Sequence, residues 1–115
     1  MASLAMALPL LPGKTEAWKH WVQEMAGARL SEFQASRKRL GITGEASFLQ
    51  QTPQGDMAIL YIEAAVIAQA LQGLATSQEP FDVLFRQQTQ EFFGFDLAQP
   101  PSGPPSERVF DWRAG

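Results

Sequence analysis

A chain of 115 residues has room for one domain around one core, and its complete lack of cysteine excludes disulfides, thiolate nucleophiles, cysteine-ligated zinc and iron–sulfur clusters. Nine basic residues against twelve acidic ones give a net charge of −3, whereas nucleic-acid binding draws most of its affinity from a basic surplus. We therefore expect a single domain over residues 1–115 that binds no nucleic acid and resides in the reducing cytoplasm.

The N-terminal segment is apolar, but its pattern is that of a strand and not of a secretion signal. It has no positively charged start, and Pro9 and Pro12 interrupt it. Every second residue from Leu4 to Leu10 is apolar, which predicts a first strand from Ser3 to Leu11. No apolar run reaches the ~20 residues that a bilayer span requires, so we expect no membrane partner.

A long helix is predicted next, from Glu16 to Leu40, with Thr15 as its N-cap and Gly41 after its last residue. Its apolar stripe consists of residues that recur at helical spacing: Trp18, Val22, Met25, Phe33, Ser36 and Leu40. At 1.5 Å per residue it would be about 37 Å long, whereas a seven-residue strand spans only about 23 Å. The helix must therefore overhang the sheet or bend near Gly27. The basic cluster Arg37–Arg39 lies near its C-terminal end, where cations offset the helix dipole.

The remaining elements follow from turn residues and apolar spacing. Two strands form a hairpin, a short helix and a proline-initiated helix come next, an extended proline-rich connector follows, and a short strand ends the chain. These elements are predicted at Glu45–Thr52, Met57–Glu63, Ala65–Ala75, Pro80–Gly94, Pro100–Pro105 and Arg108–Trp112. Phe110 and Trp112 share a side, so we expect the last segment to be a sheet strand or to clamp a dimer.

The order β-α-β-β-α-α-β predicts an α+β fold of the ferredoxin-like, split-βαβ type, with an antiparallel sheet and helices on one face. The first and third strands are apolar on both faces, whereas an antiparallel sheet with one solvated face alternates apolar and polar residues. The helices cover one face only. We therefore expect a homodimer in which a second copy covers the other sheet face.

Five runs of the sequence resemble small uncharacterised bacterial proteins of the dimeric α/β-barrel, ferredoxin-like superfamily. These runs are Leu10–Lys14, Ser36–Thr43, Leu49–Asp56, Pro80–Asp82 and Val109–Arg113. The resemblance implies the fold and the dimeric barrel. It does not imply one activity, because the superfamily also includes monooxygenases, haem-degrading enzymes, isomerases and stress-responsive proteins. No catalytic motif of these relatives matches this chain residue by residue.

Two apparent motifs have simple structural explanations. Pro12-Gly-Lys-Thr15 lacks the earlier glycine of a phosphate-binding loop, because that position is Leu8. His20 is the only histidine, which excludes a two-histidine iron site within one chain, and its place beside the apolar stripe favours a surface position over a general base or a haem ligand. We predict no metal and no cofactor.

The candidate ligand pocket lies between the long helix and the helix-covered sheet face. Its candidate residues are Trp21, Arg29, Phe33, Tyr61, Glu63 and His20. Arg29 falls close to the apolar stripe, and such a charge either forms an ion pair or orients a substrate. The function stays open between a noncatalytic module that binds a small flat organic ligand and a cofactor-independent enzyme of the monooxygenase or isomerase type.

Overall fold

A computed structural model describes residues 2–99 and 106–115, and in this part of the chain it contains three strands and four helices. In chain order the elements are β1 (Ala2–Pro9), α1 (Thr15–Ala26), α2 (Leu30–Leu40), β2 (Ile42–Thr52), β3 (Gly55–Ala64), α3 (Ile67–Thr76) and α4 (Pro80–Phe93). The predicted α+β class is confirmed, and so are the hairpin and both later helices. The connector predicted at Pro100–Pro105 lies outside the described residues.

The three strands form one antiparallel sheet in the order β1-β3-β2. The hairpin places β2 beside β3, and the chain returns through α1 and α2 so that β1 pairs with the other side of β3. Leu4 lies opposite Ile62 on one side of β3, and Glu45 lies opposite Ile62 on the other. β3 is therefore the central strand and pairs with a neighbouring strand on each side.

The predicted helix from Glu16 to Leu40 is two helices, because the chain leaves helical geometry at Gly27, with φ −122° and ψ −99°. The backbone N–H groups of Gly27 and Arg29 both donate to the Glu24 carbonyl, at 3.2 and 2.9 Å, which ends α1 within one turn. A single straight helix would outrun the strands that it covers. The bend, which was one of the two expected outcomes, lets both halves contact the sheet.

All four helices cover the same face of the sheet. The main cluster of buried residues joins the residue that follows β1 to α1, β3 and α4: Leu10, Trp18, Trp21, Ala58, Phe81 and Phe92. Trp21 stacks on Phe81 with ring centroids 6.2 Å apart and the planes inclined by 19°. A second cluster joins the start of β2, the end of β3 and α3: Ile42, Ala64 and Ala70.

The opposite face of the sheet, here called the outer face, is apolar and carries no helix in the described chain. Strand alternation places Met57, Ile59 and Tyr61 of β3 on it, between Ala7 of β1 and Phe48 of β2. The three β3 residues are partly exposed, and Phe48 is 60% exposed. The apolar pattern on both faces, inferred from the sequence, is therefore present in the folded chain.

The final strand predicted at Arg108–Trp112 does not form in the described structure, where residues 106–115 make no β-ladder. Side chains hold this segment against the sheet instead. Ser106 Oγ donates to the Ala5 carbonyl, and the Arg108 guanidinium donates to Ser3 Oγ. The prediction was wrong because it depended on the aromatic composition of the segment, which is typical of a strand. β-propensity depends on neighbouring strands and burial more than on the backbone itself.

Gly41 connects α2 to β2 in the left-handed conformation, with φ 76° and ψ 19°. A Cβ at this position would meet nothing within 4 Å, so only the backbone conformation opposes a side chain. Gly41→Ala should therefore lower the free energy of unfolding by about 1 kcal/mol, and Gly41→Asn by less, because asparagine tolerates this conformation. Urea denaturation measures both; an alanine variant as stable as the asparagine variant would contradict the assignment.

Candidate functional site

A cavity of about 90 Å³ lies between the helices and the sheet. Its walls are mostly apolar side chains from α1, β1, β3, α3 and α4, among them Met6, Trp21, Met25, Leu60, Leu71 and Phe85. Polar groups enter the lining from α2, β2 and α4: Arg37, Glu45, Ser47 and Thr89. An apolar cavity with a few convergent polar groups is the usual form of a small-molecule site.

Arg37 is the central polar residue of this lining, and its side chain is buried between two aromatic rings. Its guanidinium carbon lies 4.5 Å from the ring centroid of Phe33 and 4.4 Å from that of Phe85. Phe33 is four residues earlier on α2, so helix geometry places it on the same side. Because the guanidinium is shielded from water, these two cation–π contacts hold its plane in one position.

Glu45 of β2 balances the charge of Arg37. Arg37 Nε lies 2.9 Å from Glu45 Oε1 and a terminal nitrogen lies 3.3 Å from Oε2, so both carboxylate oxygens accept hydrogen bonds from one guanidinium. The other terminal nitrogen donates to Ser36 Oγ at 3.0 Å. These bonds use three of the five N–H donors of the Arg37 guanidinium.

A fully buried carboxylate lies behind this arginine. Ser36 and Asp82 are both completely buried, and the Ser36 hydroxyl donates to Asp82 Oδ1. Asp82 Oδ2 accepts from Ser77 Oγ at 2.6 Å and from a terminal nitrogen of Arg39 at 3.1 Å. The Asp82 network therefore consists of Asp82, Ser36, Ser77 and Arg39, and Ser36 links it directly to Arg37.

Opposing effects act on the pKa of Asp82. Burial raises it, because a desolvated carboxylate is less stable when charged, while hydrogen bonds from Ser36, Ser77 and Arg39 and the charge of Arg39 lower it. The hydrogen bonds and the nearby cation prevail, and the pKa of Asp82 lies below its ordinary value. The carboxylate is therefore ionised at neutral pH.

Of the predicted site residues, Trp21 and Phe33 lie next to the Arg37 side chain or its cavity. Trp21 lines the cavity itself. Phe33 lines an open groove of about 440 Å³ that also includes Arg37, Gly41 and Glu45. Arg37 and Glu45 thus line both the cavity and the neighbouring groove.

The other four predicted site residues lie elsewhere. Arg29 is in the turn between α1 and α2, where Glu24 accepts its Nε hydrogen bond and Glu32 lies at 3.3 Å, so the ion-pair alternative describes it. His20 is on the exposed side of α1. Tyr61 and Glu63 occupy alternate positions of β3 that face away from the helices, on the outer face.

The residues that sequence reasoning missed are Arg37, Glu45 and Asp82. Arg37 was interpreted with its neighbours as compensation for the helix dipole, although Ser36 had been placed in the apolar stripe beside it. Asp82 follows Pro80-Phe81 and has the position of an ordinary first-turn acid. The usable signal was a serine within an apolar stripe with an arginine next to it, since such groups are buried only with partners.

No group of three His, Asp or Glu side chains lies close enough to hold a metal ion in residues 2–99 and 106–115. None of the helices in those ranges has both the length and the apolar character needed to cross a membrane.

One comparison with known proteins gives a match. The profile of the family described as "Family of unknown function (DUF6176)" matches residues 1–98, and the chain belongs to that family. No curated protein and no solved structure matches the chain. The matched range includes every strand and helix described above and ends before the segment 106–115.

Asp82→Asn removes the buried charge while keeping the size of the side chain. It should lower the free energy of unfolding by about 3 kcal/mol, because Arg39 loses its ionic partner and the new amide meets the hydroxyl donors of Ser36 and Ser77. Glu16→Gln makes the same chemical change at a side chain that is 88% exposed and should shift stability by less than about 0.5 kcal/mol. Equal effects of the two variants in urea denaturation would contradict the role of Asp82.

The stability difference between the wild type and Asp82→Asn should depend on pH. Because the pKa of Asp82 is lower in the folded chain than in the unfolded one, its contribution is complete above the unfolded value of about 3.9 and is lost as pH falls below it. The stability difference between wild type and Asp82→Asn should therefore shrink in strong acid. Unfolding free energies measured at neutral pH and in acid test this, and a constant difference would show that Asp82 does not titrate as described.

Proposed function

We propose that this member of the family is a homodimeric, ferredoxin-like domain whose cavity beneath the helices binds a small, flat, uncharged organic molecule. The observation that carries the proposal is the position of Arg37. Its guanidinium is fixed by Phe33, Phe85 and Glu45 in the lining of an otherwise apolar cavity. An arginine held this firmly and retaining unused donors is suited to orient a ligand by hydrogen bonding.

The charge balance of the site favours a neutral ligand. Glu45 already matches the charge of Arg37 through two hydrogen bonds. An anionic ligand would have to compete with this carboxylate, and burying a second negative charge beside it is unfavourable. A hydroxyl or carbonyl oxygen can accept a hydrogen bond from an unused N–H of Arg37 without disturbing the pair.

The size of the cavity restricts the ligand to about one ring. At about 90 Å³ it is smaller than the ~150 Å³ apolar cavity that holds benzene in another protein. Met6 and Met25 both line it, and methionine side chains adjust their shape readily because they are unbranched. Rotation of these two side chains would provide the additional volume for a single aromatic ring.

Binding is favoured over catalysis by the state of Glu45. A general base must be free to accept a proton from the substrate. Both oxygens of Glu45 accept hydrogen bonds from Arg37, and the Thr89 hydroxyl donates to the Phe85 carbonyl at 2.9 Å. The polar groups that an isomerase- or monooxygenase-like reaction would use are Tyr61, Glu63, Arg29 and His20. Tyr61 and Glu63 lie on the other side of the sheet, Arg29 lies in the turn between α1 and α2, and His20 is exposed.

The dimer is supported by the outer face. Ile59, Tyr61 and Phe48 form an apolar surface that no helix of the described chain covers. A surface of this kind is unusual in a monomer, and twofold symmetry covers it by using the same surface on both copies. The antiparallel order β1-β3-β2 with helices on one face fits the ferredoxin-like arrangement and its dimeric barrel. Such an interface should bury more than about 1,000 Å² in total.

Phenol and benzoate test the ligand proposal as a neutral and an anionic single ring. We expect phenol to bind with a dissociation constant near the millimolar range, because the ligand has so few atoms. We expect benzoate to bind more weakly than phenol by a factor of about ten or more. Calorimetry or chemical-shift titration measures both. Equal binding of the two compounds would contradict the role assigned to the Arg37–Glu45 pair.

Leu71→Phe fills the cavity and should abolish phenol binding, since Leu71 is part of its lining. Leu30→Phe makes the same change at the start of α2, where the side chain is exposed and outside the cavity, and should leave binding unchanged. Circular dichroism confirms that both variants fold. Phenol binding that survives Leu71→Phe would place the site elsewhere.

A further inference from the structure

The segment 106–115, here called the C-terminal arm, exposes three large apolar side chains although it is anchored to the sheet. Val109 is 86% exposed, Phe110 is 78% exposed and Trp112 is 73% exposed. An unattached tail gains nothing from such residues, and an anchored segment normally buries them. Their exposure in a single chain indicates a surface that meets something else.

The anchors of the arm are polar and lie at one end of the outer face. Ser106 and Arg108 donate hydrogen bonds to Ala5 and Ser3 of β1, and Arg113 lies 3.7 Å from Glu63 of β3. A groove of about 330 Å³ runs between the arm and the sheet at Tyr61. The arm is therefore a layer above the Tyr61 end of the outer face.

Both arginines of the arm have carboxylate partners nearby. Asp111 lies 3.6 Å from Arg108 and 3.8 Å from Arg113, and Glu63 supplies a second carboxylate near Arg113. Glu107 adds a third carboxylate and is exposed. Covering the two arginines together with Asp111 and Glu63 buries no unmatched cation, and an unmatched ion is the main penalty for burying ionic groups.

The rest of the outer face is mostly apolar, and no other part of the described chain covers it. Phe48 of β2 is 60% exposed, and Ile59 of β3 lies directly opposite it in the sheet. One end of the face therefore carries a raised apolar arm, and the other end offers an apolar surface without a cover. A twofold axis that lies between the sheets and runs across the strands brings the raised end of each copy onto the bare end of the other.

We infer that the C-terminal arm forms the middle layer of the homodimer, so that it lies between its own sheet and the partner's sheet. Phe110 and Trp112 of each chain then pack on the partner around its exposed Phe48 and Ile59. This inference rests on the proposed dimer and alters it, because the Tyr61 end of each sheet meets the Phe48 end of the partner's sheet through its own arm instead of directly. The occupant of the exposed aromatic surface is thus a second copy of this chain.

Tryptophan fluorescence tests the inference directly, because Trp18 and Trp21 are 6% and 5% exposed whereas Trp112 is open. Acrylamide should quench Trp112 strongly in dilute protein and several-fold less at concentrations where light scattering shows a dimer. Trp112→Phe is the control: it keeps an aromatic ring for the interface but should lose the concentration-dependent signal. A dimer in which Trp112 remains freely quenched would overturn the inference.

A second measurement separates this inference from the dimer itself. Replacing Phe110 and Trp112 by serine should weaken dimerisation by about 100-fold or more, as expected for two central aromatic contacts, whereas Leu30→Ser on the helical side should leave it unchanged. A wild-type dimer with an unaffected double variant contradicts the arm and keeps the sheet-face dimer. A wild-type protein that stays monomeric at micromolar concentration overturns both.

Discussion

The buried carboxylate of Asp82 is the constraint on which the arrangement of the helices depends. A charge without solvent is stable only when its hydrogen-bonding positions are filled, and here the partners come from α2 and from the turn before α4. Ser36 and Arg39 fix the C-terminal half of α2, while Ser77 fixes the turn. Apolar packing is not directional, so by itself it would let α2 slide along α4. The directional hydrogen bonds of the Asp82 network allow only one register between the two helices.

That register also determines where Arg37 points. Ser36 lies against α4, so the next residue is directed toward β2 and the aromatic rings of Phe33 and Phe85. Arg37 then meets Glu45 and completes a continuous polar path from β2 to α4. The Asp82 end of this path holds the helices together, and the Arg37 end borders the cavity. The stability of the fold and the geometry of the site therefore depend on the same contacts.

Local signals in the sequence predicted most of the secondary structure, because each depended on nearby residues. Pro80 and Gly94 marked the limits of the last helix, and the turn at 53–56 marked the hairpin. The bend at Gly27 followed from comparing lengths of helix and strand. The conformation of the C-terminal arm was not predicted correctly. Its aromatic residues are typical of a strand, and only the three-dimensional context decides whether a β-ladder forms.

The site was less predictable, because it depends on contacts between distant residues. Ser36 and Asp82 are 46 positions apart, and neither position has an unusual local pattern. The sequence indicated the cavity's location beneath the helices and its Trp21 wall. It assigned Tyr61 to the same side, although alternation along β3 from the buried Ala58 places that residue on the outer face. Counting strand positions from a firmly buried residue would have avoided that assignment.

The proposed role of Arg37 is to present a fixed, charge-balanced donor to a ligand in the cavity. A crystal structure of the protein grown with phenol is the sharpest test of that role. We expect electron density for one ring among Trp21, Met25 and Phe85, with its oxygen within hydrogen-bonding distance of Arg37 and the contacts to Glu45 preserved. A ring bound only on the outer face, or an Arg37 side chain that leaves Glu45 to meet the ring, would contradict that role.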